Sequence, residues 1–83
     1  MNIHHYTAIF QKEPEGGYTV IIPALPGCVT YGKTIEEAKI SAKEAIESYL
    51  GSLAKDGEKA PNDINFVSTI DVSLHSHPSP LYA

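Results

Sequence analysis

Four histidines are the side chains best suited to chemistry in this chain. His4 and His5 stand near one end of the sequence, His75 and His77 near the other. If the two ends met, within one chain or between two, neutral imidazoles could gather Zn²⁺ or Ni²⁺. Their spacing matches no established zinc pattern, and solvated terminal histidines are the simpler reading, so no metal or other cofactor is expected. Cys28 is the single cysteine. It cannot close an internal disulfide, which fits a reducing cytoplasm, and a buried thiol is a simpler role for it than a nucleophile. Ser41, Ser48 and Ser52 fall within a helical pattern, and no Gly-x-Ser-x-Gly elbow occurs. No catalytic residue is assigned.

The element that organises the rest runs from Thr34 to Asp56. Ile35, Ala38, Ala42, Ala45, Ile46, Tyr49 and Leu53 recur at spacings of three and four, the stripe of an amphipathic helix. Glu36, Glu37, Glu44, Glu47 and Ser48 take the other side. Thr34 is the expected N-cap, with Glu37 reaching back to the Thr34 amide as a capping box. Gly57 is the expected residue just past the helix, and Pro61 prevents its resumption. Gly51, inside the helix, predicts fraying or bending of the last turns. Ile40 projects about 160° from the centre of the apolar stripe and is a candidate partner contact.

Strands are expected before and after the helix. Ile3–Gln11 alternates β-branched and aromatic residues, with Tyr6, Ala8 and Phe10 on the helix-facing side. The segment 12–17 is a hairpin loop, Tyr18–Ile22 a second strand ended by Pro23, and Cys28–Gly32 a short third strand. The turn Pro23-Ala24-Leu25-Pro26-Gly27 between them has two readings. It is a rigid connection that plugs Leu25 into the core, or it contacts a partner directly through Pro23, Leu25, Pro26 and Gly27. Ile64–Leu74 has a clean period of two and predicts a long fourth strand. Residues 1–74 then form one domain, and the tail 75–83 is expected to be mobile. The order β-β-β-α-β argues an α+β fold, a small antiparallel sheet with one helix packed on it.

Ten acidic residues against six lysines, with no arginine, give a net charge of −4. Phosphate contacts need clustered Lys or Arg, so direct binding of nucleic acid is not expected and a basic protein is the natural complement. No signal peptide or spanning segment is apparent, and the expected location is the cytoplasm. A core this small, with no staples, favours oligomers. A dimer or higher assembly through the Ile64–Leu74 strand, possibly helped by Ile40, is therefore expected.

Several motifs in order carry a family resemblance. Gly16-Gly17-Tyr18 is followed by Val20-x-Ile22-Pro23-x-Leu25-Pro26-Gly27-Cys28-Val29-Thr30, then Gly32-x-Thr34-x-Glu36-Glu37-Ala38 and Ala42-x-Glu44-Ala45-Ile46. From about Tyr6 to Gly57 the chain resembles the HicB family of antitoxins. The resemblance implies a pared-down RNase H-like fold and a protein partner, HicA, a small basic toxin that cleaves mRNA with a histidine. It implies that the antitoxin works without catalysis, by covering the toxin's active site. Complete HicB antitoxins usually add a C-terminal DNA-binding domain. Here nine residues follow Leu74 and show no helical pattern, so promoter binding is not expected of this chain. The competing readings are an orphan metal-binding module and a residual RNase H-like nuclease. The second needs carboxylates converging on two metal ions, yet Ile3–Gln11 holds no Asp or Glu, Glu13 and Glu15 lie in a loop, and Asp71 stands alone.

Overall fold

The computed structural model describes residues 3–74. Three short strands, β1 (Ile9–Lys12), β2 (Tyr18–Ile21) and β3 (Val29–Gly32), precede one helix, α1 (Ile35–Lys55). The strands form an antiparallel sheet in the order β1-β2-β3, with Phe10 opposite Val20 and Val20 opposite Thr30. The fold is α+β, as the order of elements predicts.

The hairpin between β1 and β2 closes through Glu13 N–H to Gly17 carbonyl at 3.0 Å, with Gly16 and Gly17 both at positive φ. The β2–β3 connection is tighter. Leu25 N–H donates to the Ile22 carbonyl, Cys28 N–H to the Leu25 carbonyl and Ile22 N–H to the Cys28 carbonyl, at 2.9–3.1 Å. Gly27 takes a φ of +83°, which an L side chain rarely adopts. These bonds aim Leu25 inward, where it is 0% exposed beside Val20 and Ile22.

Helix α1 packs on β3 and β2. Its Ala38 and Ala42 are buried, with Ala45, Ile46, Tyr49 and Leu50 packed around the same core. Gly32 makes the approach possible, since a Cβ there would overlap the Ala38 backbone. The helix start follows a variant of the expected cap. Thr34 Oγ1 accepts from Glu37 N–H at 3.1 Å, while the Glu37 carboxylate accepts from Lys33 N–H rather than from Thr34. At the other end Glu58 N–H reaches the Leu53 carbonyl and Gly57 N–H the Ala54 carbonyl, a Schellman closure with Gly57 at φ +72°. The helix runs through Gly51 without a break. Ile35, placed on the inner stripe by periodicity, is exposed, and Leu50 takes part in its stead.

Two strand expectations need correction. The first strand is ladder-paired only from Ile9. In the β1–β2 register Ile9 faces Ile21, so Thr7 would fall opposite Pro23, which has no N–H to offer. Thr7 N–H bonds the Asp63 carboxylate instead, and the Tyr6 hydroxyl donates to the Pro61 carbonyl at 2.7 Å. The second correction concerns Ile64–Leu74, which forms no strand within this chain. Its alternation is real, but among the described residues no sheet edge or apolar face receives it. Ile64, Phe66 and Ile70 are 91%, 90% and 82% exposed. The tail from His75 lies outside the described residues.

Two outcomes follow from this packing. Gly32→Ala forces α1 off the sheet and should cost about 1–3 kcal/mol. Thermal unfolding should then shift down by about 4–8 °C per kcal/mol in a domain of this size. The Asp63 carboxyl is held at about 2 by the Asn65 backbone N–H first and then by Thr7. Its folded value is depressed, so the link to Thr7 is fully present above the ordinary carboxylate range and is lost as pH falls through about 2. The Thr7 amide resonance should follow that titration, and in Asp63→Asn it should not.

Candidate partner-binding surfaces

The helix is narrower than the sheet, and each flank of α1 is an open groove. On the β3 side, a cleft of about 400 Å³ lies among Gly27, Val29, Ser48, Tyr49 and Ser52. A second hollow of about 320 Å³ continues past Tyr31, Gly32, Glu37 and Ile40. Together they form a seam along β3 and α1. The Tyr49 hydroxyl donates to the Pro26 carbonyl at 3.0 Å and fixes the turn at one end of that seam. Tyr31, half exposed, donates its hydroxyl to the Gly16 carbonyl at 3.0 Å at the other.

The candidate partner residues separate accordingly. Pro26, Gly27 and Ile40 border this seam, and Ile40 is 62% exposed. Pro23 is exposed at the end of β2. Leu25 is spent on the core, the plugging role of its two readings, so its side chain presents nothing to a partner. Sequence reasoning missed Val29 and Tyr31, which stand exposed on the edge strand β3 with their side chains on the sheet face turned away from α1, so they meet the seam only at its β3 border. They alternate with the inward Thr30 and Gly32, and strand periodicity could have found them. The uncovered face of the sheet also carries Ile9, Ile21 and Val29 in one cross-strand row.

On the β1 side the groove is larger, about 700 Å³, and its floor is apolar: Tyr6, Ala8 and Phe10 from the first segment, Ala42, Ile46 and Leu50 from the helix. His4 and His5 sit at its margin with Lys39 and Lys43. Among the described residues no three His, Cys, Asp or Glu side chains stand together as a metal site. His75 and His77 lie outside the described residues. Glu13 accepts from the Thr19 hydroxyl at 2.6 Å and Asp63 braces Thr7 and Asn65, so both carboxylates serve the fold. Burial pushes the Cys28 thiol up from its ordinary value. Among the described residues no helix is long and apolar enough to cross a membrane.

The geometry offers open grooves on both flanks of α1. The chain is 55% identical over 58 residues to a UPF0150 protein of Thermoplasma acidophilum, covering 70% of this chain and 84% of the relative. It is 37% identical over 70 residues to a UPF0150 protein of Synechocystis, covering 84% and 89%. A UPF0150 protein of Helicobacter pylori is 51% identical over 49 residues, 59% of this chain and 67% of that one. The family model for the HicB_like antitoxin of bacterial toxin-antitoxin systems matches residues 6–77, and the chain belongs to that family.

Proposed function

We propose that this protein is a cytoplasmic antitoxin that binds a HicA-type mRNA-cleaving toxin and occludes its active site, without chemistry of its own. The observation that carries the reading is the family membership, joined to an acidic chain with an exposed, rigidly backed seam. Pro26, Gly27, Val29, Tyr31 and Ile40 are the contact set, with Pro23 at its margin and Leu25 holding the turn from beneath. In this reading the sheet and helix are the remnant of an RNase H-like framework kept for its surface.

The physical fit is straightforward. Rigid turn and strand residues lose little entropy on binding, and exposed Tyr and Ile side chains gain by leaving water. Net negative charge steers a basic partner into place. A second copy of the chain is the other proposed partner, through Ile64–Leu74.

Co-expression with a HicA-type toxin encoded beside this chain should rescue growth and yield a complex. Its association rate should fall as salt rises, because screening shortens the reach of the steering field. Ile40→Glu should weaken the complex about tenfold or more, an apolar contact exchanged for a buried charge. Leu25→Ala should act differently, lowering thermal stability by about 2–5 kcal/mol through the core. Growth arrest that persists despite co-expression, with no complex recovered, contradicts the antitoxin reading.

A further inference from the structure

The β1-side groove and the exposed 64–74 arm are both unpartnered apolar surfaces of one chain, and their shapes correspond. The groove floor is made by Tyr6, Ala8, Phe10, Ala42, Ile46 and Leu50. It lies beside a strand, β1, that among the described residues is paired on one edge only, the sheet order being β1-β2-β3. An added strand at that edge would meet an open row of backbone N–H and C=O groups and an apolar floor. The arm is such a strand in sequence. Ile64, Phe66, Ile70, Val72 and Leu74 share one face, with Ser68 the polar position in that row.

The arm does not reach its own groove. Its root is tied beside β1, by the Tyr6 hydroxyl to the Pro61 carbonyl and by Thr7 N–H to the Asp63 carboxylate. Ile64 and Phe66, directly beyond that root, are among the most exposed apolar side chains of the molecule. The arm thus leaves the edge at its first residue. We propose that the arm of one copy becomes the missing edge strand of a second, pairing with the first segment and β1 and laying its even-numbered apolar row over Tyr6, Ala8 and Phe10.

Reciprocity follows from where the arm is rooted. Each copy's arm starts next to its own groove, so a two-fold axis near that edge lets each arm cross into the other's groove. One self-complementary exchange then covers both surfaces of both chains. Eleven arm residues and eleven groove-lining residues per copy fall within the roughly 20–30 residues a side that stable interfaces use. The arm carries one charge, Asp71; the groove margin carries Lys39 together with Lys43 and Glu47, which pair with each other at 3.4 Å, leaving Lys39 as the cation to face Asp71. Ile40 faces the opposite flank of α1 and takes no part. This inference rests on the self-association reading and is independent of the toxin.

The test uses the full chain. Light scattering at tens of micromolar should give about twice the mass of one chain. Ile70→Pro, which removes a ladder N–H, should raise the dimer dissociation constant about tenfold or more. Phe66→Asp should do the same without touching the backbone, while both variants retain the helical circular-dichroism signal. Separately purified Leu50→Cys and Phe66→Cys chains, mixed and oxidised, should form a disulfide-linked heterodimer. A monomeric wild-type protein overturns both self-association and the exchange. A dimer untouched by Phe66→Asp and lacking the cross-link overturns the exchange alone, as does a disulfide formed within one chain of the doubly substituted monomer. Ile40→Glu should leave the mass unchanged, and a monomeric Ile40→Glu would move the interface to the other flank.

Discussion

The close approach of α1 to β3 is the constraint on which the rest of the molecule depends. Gly32 has no side chain, so the Ala38 backbone can press directly on the strand, and Ala38 and Ala42 fill what little space remains. Small residues on both sides let the helix sit low, and that height sets the core. Val20, Ile22, Leu25 and Cys28 complete it from the sheet and the turn. Among the described residues a core of six buried side chains is little for a domain to rely on. Marginal stability is the expected consequence.

The same constraint decides the surface. A single helix seated over β3 and β2 cannot also cover β1, so the larger groove opens on the β1 side and a narrower seam remains on the β3 side. The turn 23–28 is stiffened by its own backbone bonds and by Tyr49, so the seam is presented in one shape. Rigidity of this kind suits a protein that acts by occupying a partner's surface, since little ordering remains to be done on binding. The two flanks are separated by the helix, so the second copy and the toxin proposed above would meet different faces.

The helix was legible in the sequence nearly to the residue, because a 3.6-residue period, a Thr cap and a terminal Gly all agree. The turn 23–28 was legible as a rigid device. Which way Leu25 pointed was not, since a Pro-x-Leu-Pro-Gly sequence is compatible with either side until the bonds among Ile22, Leu25 and Cys28 are known. The first strand was drawn too long because alternation persists past the point where its partner ends at Pro23. Ile64–Leu74 shows the same limit more sharply. Period two reports that a segment has two unlike faces, and it is silent on which chain supplies the neighbouring edge. The seam residues Val29 and Tyr31 were hidden for a different reason. An exposed apolar residue on a strand looks like a core residue until the helix is seen to cover only the other face.

Amide hydrogen exchange across the whole chain, with and without a HicA-type toxin, reads both flanks in one experiment. The 64–74 amides should already be protected in the free protein in a concentration-dependent way. Amides from Gly27 to Ile40 on the β3 flank should gain protection only when toxin is added. Protection that appears in the arm but never in the seam on adding toxin, or in neither, would contradict a protein built to present two separate docking faces on one small core.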